Sequence, residues 1–186
     1  MCAALAIIAL AAQWLPRDWF DWQPQVAATQ PWRLWTAAWV HWSPLHLLAN
    51  LAGCVAVAAF GAAACVQPRS VWAWLAAWPL THVALAAQPL LLHYGGLSGV
   101  LHAGVAVAAW PLVAHARGRR RAIGWAVLAG LALKLELERP WVGPTQAVAG
   151  WDIAMAPLAH VSGALSGLFC AAGADLGAAL RLRAIR

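Results

Sequence analysis

Six apolar segments, roughly 2–15, 44–66, 70–88, 96–115, 122–137 and 153–176, follow one another with only polar, proline or glycine punctuation between them. A chain built this way has no use for a water-facing surface: 63% of its 186 residues are hydrophobic and 10% are charged, where a soluble domain carries charge at about a quarter of its positions. Disorder is excluded too, since its signature is low hydrophobicity with high charge. Lipid must therefore solvate the exterior. In lipid, only helices and closed barrels satisfy their own backbone hydrogen bonds, and these Ala-, Leu-, Val- and Gly-rich segments show no period-2 alternation. The expectation is an all-α, polytopic membrane protein, a bundle of six transmembrane helices forming a single domain over 1–186. The first segment is short: Cys2 to Leu15 makes about 21 Å of helix against about 30 Å of hydrocarbon. That shortfall leaves open a start upstream of Met1. Without a charged leader or a small-residue cleavage site, the segment reads as a retained anchor.

Charge position gives the orientation. Arg69, Arg117, Arg119, Arg120, Arg121, Arg181, Arg183 and Arg186 fall in the loops after the second and fourth segments and in the C-terminal tail, opposed only by Asp175. Arg17, Arg33, Lys134 and Arg139 fall on the other side with Asp18, Asp21, Glu136, Glu138 and Asp152. By the positive-inside rule the arginine-rich side and both termini are cytoplasmic. The RGRRR cluster is thus a topology determinant facing anionic lipid, not a nucleic-acid patch. Segment 16–43 holds six of the fourteen tryptophans, and such rings favour the headgroup layer, so this outer loop is expected in the interface. Cys2, Cys54, Cys65 and Cys170 lie in apolar stretches without metal-ligand or disulfide-framework spacing and read as packing residues. No metal or cofactor is expected.

Polar groups inside spans are costly, and each is a candidate for function or for helix packing. The second span opens SPLHLLAN, which sets His46 and Asn50 one turn apart on one face. The fourth opens GGLSGVLHAG with Ser98, and the sixth carries APLAHVSGALSG with His160. Counting at 1.5 Å per residue from the cytoplasmic ends, all four side chains fall about 22–31 Å above the inner boundary, one level near the outer face. His160, Gly163 and Gly167 share a helix face, while Gly99 and Ala103 form a small-x-x-x-small pair beside Ser98. Such faces let helices approach closely enough for a Ser–His hydrogen bond. Plain helix packing uses the same glycines, Gly96, Gly99, Gly163 and Gly167, and spacing alone leaves both readings open.

These residues resemble the rhomboid family of intramembrane serine proteases. PWRLWTAAWVHWSPLHLLAN is similar to that family's first loop and second span, with Trp32, Arg33, Thr36, His41, His46 and Asn50 in its order. GLSG at Gly96 to Gly99 resembles its nucleophile motif, and AHVSGALSG at Ala159 to Gly167 its base helix. The resemblance implies Ser98 as nucleophile and His160 as base, with Ser98 N–H, His46 and Asn50 stabilising the oxyanion, in a bacterial inner membrane with the site toward the periplasm. Within the family, GLSGVLHAG and the Lys134/Glu138 pair look most like rhombosortases. That implies transmembrane protein substrates with a C-terminal Gly-Gly motif, an apolar span and a basic tail.

A dyad is expected, because no carboxylate is found at the right depth. Asp152, the nearest in sequence, would stand about 12 Å of helix above His160. Lys134 and Glu138 are expected to form a snorkelling i,i+4 pair at the outer end of their span, with a substrate contact as the lesser reading. His102 reads as a packing or substrate-facing residue. His41, His93 and Tyr94 read as interfacial polar groups, and His82 and His115 as remote from the site. Two other classes stay in view: an inert rhomboid-like protein that binds membrane clients, and a small transporter component whose polar residues line a path.

Overall fold

The structure, a computed structural model, describes residues 1–184; Arg186 and the side chain of Arg183, counted above in the tail, lie outside the described residues. The described chain is helical, with α1 at Cys2–Ala11, a single turn α2 at Arg33–Thr36, α3 at Pro44–Ala64, α4 at Pro68–Val83, α5 at Ser98–His115, α6 at Gly118–Leu137 and α7 at Pro157–Ala184. Prolines at the first position start α3, α4 and α7, where the missing N–H costs nothing and the fixed φ suits a helix. Among the described residues, four helices are long and apolar enough to cross a membrane: Pro44–Ala64, Pro68–Ala87, Ser98–His115 and Pro157–Arg181. α1 is too short to count on this criterion. α6 has the length, but Arg119, Arg120, Arg121, Lys134 and Glu136 dilute its apolar character.

α5 is the axis of the bundle. It packs against α3, α4, α6 and α7, and it is the one long helix that exposes no large apolar side chain among the described residues. Its neighbours turn Val55, Trp72, Leu133 and Phe169 outward, as expected of a surface solvated by lipid. The core between α3, α4 and α5 is built from Cys54, Trp74, Trp78, Val100, Leu101 and Val107. Gly104 leaves room for the Trp74 ring, whose edge lies 2.5 Å from where a Cβ would stand; the indole N–H donates to Val100 O at 2.7 Å.

The α5–α7 crossing is closer still. A Cβ on Gly163 would lie 2.0 Å from Gly99 O, and one on Gly167 would lie 2.5 Å from Ala103 O. The two helices run side by side in the same direction, with backbone touching backbone. Ser162 Oγ adds a hydrogen bond to Thr81 O of α4 at 2.8 Å. α6 is seated differently: Gly124 alone among its residues is buried, against Leu112 and Val113 of α5.

Segment 16–43 is a folded element of its own. Trp19 and Trp32 are exposed as the interfacial expectation requires, but Trp22 is buried and pairs its backbone with Tyr94 through N···O contacts of 2.7 and 2.9 Å. Beneath it lies a fully buried carboxylate. Asp21 accepts from Arg33 Nη1 at 2.8 Å and from His93 Nδ1 at 2.6 Å, while Arg33 also donates to the carbonyls of Asp21 and Asp18. His93, half-exposed, thus hydrogen-bonds a buried carboxylate as well as standing at the interface. This network ties the outer loop to the segment that leads into Ser98. Removing one partner of a buried pair leaves the other uncompensated. Asp21→Asn should therefore cost about 3 kcal/mol, read as a lower melting temperature in detergent, together with faster proteolysis of the loop.

Candidate active site

Ser98 is the first residue of α5, His160 the fourth of α7, and His46 and Asn50 lie in the first two turns of α3. The structure brings them to one end of the bundle, opposite Arg69, His115, Arg120 and Asp175. At that far end, Arg69 and His115 both contact the Asp175 carboxylate. Ser98 Oγ and His160 Nε2 are 2.9 Å apart. The glycine contact between α5 and α7 explains how residues 62 positions apart in sequence reach hydrogen-bond distance.

His46 and Asn50 face the turn before Ser98. A Cβ on Gly96 would stand 2.6 Å from His46 Nε2 and 3.6 Å from Asn50 Nδ2. Gly96 therefore does not pack helix on helix, as its grouping with the other three glycines implied. It lies ahead of α5 with φ +131°, a conformation glycine adopts at no steric cost, and lets two side chains of α3 approach the start of α5. His46 Nδ1 accepts from Trp42 N–H at 3.4 Å, so in the neutral ring the proton sits on Nε2, the atom directed toward Gly96. Asn50 Nδ2 donates one hydrogen to His46 O at 3.1 Å and keeps a second. Ser98 N–H lies in the first turn of α5, where amides have no intrahelical acceptor. These three donors lie around the turn that leads into Ser98 and line the same cavity.

The expectation that no carboxylate reaches His160 is overturned. Glu138 Oε2 lies 2.7 Å from His160 Nδ1, and its other oxygen pairs with Lys134 Nζ. Asp152 stays away from the base as expected: α7 begins at Pro157, so Asp152 lies ahead of that helix and accepts from Ser43 Oγ at 2.8 Å. The sequence reading missed a different acid. α6 ends at Leu137, which leaves Glu138 at its C-cap, half-buried, keeping the expected i,i+4 pair with Lys134 through one oxygen while the other turns inward to His160. A signal was present: Glu138 stands seventeen residues beyond Arg121, about 25 Å of helical rise, the same level as Ser98 and His160. Burial raises the Glu138 carboxyl, but the hydrogen bond and charge of His160 and the Lys134 ammonium outweigh it and hold the group down at about 2. It is ionised at neutral pH.

His102 packs its ring on His160, with centroids 4.2 Å apart and planes 12° from parallel. Its Nδ1–H donates to Ser98 O at 2.6 Å, a backbone contact one turn back. Three further expectations are corrected. His41 is buried with its Nδ1–H on Trp39 O at 3.0 Å and its ring 4.8 Å from His46; burial pushes it down to about 4, so it is neutral. Tyr94 is buried beneath Gly96 and Gly99, donates to Gly96 O, and is pushed up by burial to about 12. His82 is not remote. It sits fully buried at the outer end of α4, against Trp22 and Tyr94, with Nδ1 2.6 Å from Leu34 O.

Ser98, His102, His160, His46, Asn50 and Glu138 line one cavity of about 650 Å³ between α3, α5, α6 and the segment leading into α7. Its volume suits an extended peptide segment or a comparably sized ligand.

Together, fold and site define a class: a helical membrane protein holding a hydroxyl, an imidazole and a carboxylate in line at one end of its bundle. The chain belongs to the rhomboid family, whose Rhomboid domain it matches over residues 28–174. That stretch contains every residue of the cavity described above and leaves α1 outside. Members of this family are in general intramembrane serine peptidases. Compared with curated proteins, the chain shows no match.

Proposed function

We propose that this protein is an intramembrane serine endopeptidase that cuts membrane-anchored substrates at the outer end of its bundle, with Ser98 as nucleophile and His160 as general base. The observation that carries the reading is the 2.9 Å separation of Ser98 Oγ and His160 Nε2 within the cavity. A serine hydroxyl is a poor nucleophile until a base takes its proton. His160 Nε2 takes it as Oγ attacks the scissile carbonyl. The negative charge on the tetrahedral oxygen falls among Ser98 N–H, His46 Nε2–H and Asn50 Nδ2–H, donors held in place before the reaction begins. His160 then returns the proton to the departing amine, leaving an acyl-serine for water or another amine to resolve. The substrate must be locally unwound to present its carbonyl, which favours glycine-containing cleavage sites.

In finer detail, the enzyme is rhombosortase-like. Its substrates carry a C-terminal Gly-Gly motif, an apolar span and a basic tail, in a bacterial inner membrane with six spans, cytoplasmic termini and a periplasmic site. The GLSGVLHAG run, the Lys134/Glu138 pair and the clustering of arginines at the end of the bundle away from Ser98 support this reading.

The test uses the full chain in detergent. A fluorophosphonate probe is expected to label the protein, with the adduct mapping to Ser98 by peptide mass spectrometry, and a co-expressed Gly-Gly-tailed substrate is expected to be cut. Wild-type protein that neither labels nor processes would overturn the reading and leave a rhomboid-like binder of membrane clients. Cutting that survives replacement of Gly-Gly by Leu-Leu would overturn the substrate class alone.

A further inference from the structure

We propose that Glu138 is the positioning residue of a Ser98–His160–Glu138 triad, fixing the tautomer and orientation of His160 that proton transfer requires. This rests on the reading of Ser98 and His160 as nucleophile and base, and it departs from the two-residue machinery expected above. The geometry is collinear in chemical terms: Glu138 Oε2 to His160 Nδ1 at 2.7 Å, then His160 Nε2 to Ser98 Oγ at 2.9 Å. An ionised carboxylate can only accept hydrogen bonds. The imidazole proton therefore resides on Nδ1, and the Nε2 lone pair faces the Ser98 hydroxyl. Without an acceptor at Nδ1, a neutral imidazole is free to carry its proton on Nε2, where it blocks the transfer.

Two contacts and burial hold the head groups in this orientation. Lys134 Nζ holds the second carboxylate oxygen, so the Glu138 head group cannot rotate away without breaking an ion pair. The His102 ring lies flat against His160 and limits its tilt. The side chains of His160 and Glu138 are only 7% and 13% exposed, so little water competes for Nδ1. When His160 accepts the serine proton and becomes a cation, the adjacent carboxylate is already in place to stabilise it.

A purely structural role is the rival: α6 and α7 touch little elsewhere, and Glu138 could simply tie their ends together. The two readings differ in what they move. In full-length protein in detergent, Glu138→Gln and Glu138→Ala are expected to lower kcat by about 10²–10⁴-fold with KM changed less than about twofold, and Glu138→Asp to recover part of the loss. Glu136→Gln, exposed two residues earlier, serves as the surface control and is expected to match wild type. The wild-type enzyme is also examined by ¹⁵N NMR with labelled histidine at alkaline pH, the His160 signals being those missing from His160→Ala. A protonated Nδ1 with a bare Nε2 is expected, shifting toward the Nε2-protonated tautomer in Glu138→Gln. Glu138 variants that turn over like wild type, or whose whole loss appears in KM, would overturn the proposal. So would a wild-type spectrum with the proton on Nε2, a result independent of whether any variant folds. Failure of the underlying protease reading looks different, since wild-type protein would then show no turnover at all.

Discussion

Ser98→Ala is expected to abolish probe labelling and to reduce substrate cleavage by about 10⁵–10⁶-fold, because without the hydroxyl no acyl-enzyme can form. His160→Ala should fall nearly as far, since the hydroxyl is unreactive when no base takes its proton. The more informative measurement is the double variant. Residues that act as one unit are strongly non-additive, so Ser98→Ala/His160→Ala should be no slower than either alone. A double variant slower than each single variant by a full multiple would mean that the two side chains act independently, and that their 2.9 Å contact is incidental to activity.

Gly163→Ala is expected to be the most damaging single substitution outside the cavity. Its Cβ would meet Gly99 O at 2.0 Å, where ordinary contact begins at about 3.4 Å, and the obstacle is backbone that cannot rotate aside. α5 and α7 must separate by more than an ångström, or the bundle must lose the contact. Overpacking of this kind lies at the severe end of single-residue effects, about 4–5 kcal/mol or more. The readout is a collapse in thermal stability accompanied by loss of labelling at Ser98, since the same separation carries the hydroxyl away from the imidazole. Gly173→Ala on the same helix is the matched comparison. Nothing lies within 4 Å of its Cβ position, so only the gain in helix propensity of up to about 1 kcal/mol should remain. Equal stability of the two variants would refute the close crossing.

Much of this arrangement is written in the chain in terms that lipid enforces. A low-dielectric solvent leaves helices as the economical backbone, so α3, α4, α5 and α7 stand out as apolar runs, and their polar residues stand out against them. Helical rise then places Ser98, His160, His46 and Asn50 at one level, and the spacing of Gly163 and Gly167 announces a close face. The features that escape are those without a period. Glu138 reaches His160 from the cap of a different helix, where a long side chain can turn either outward or in, and local pairing with Lys134 is equally consistent with both. The buried Asp21–Arg33 pair, with half-exposed His93 on the second carboxylate oxygen, joins two irregular segments 72 residues apart, and nothing in either segment alone says that its charge is desolvated.

The shallow seating of α6 has a mechanical corollary. The hydroxyl rides on the member clamped from every side, and the carboxylate rides at the tip of the one with the least grip on its neighbours. Fluctuations of the bundle will consequently stretch the imidazole–carboxylate link long before they disturb the hydroxyl–imidazole link. Of the two joints that meet at His160, one is rigid and the other compliant, and whatever leans on α6 from the surrounding bilayer leans on the compliant joint.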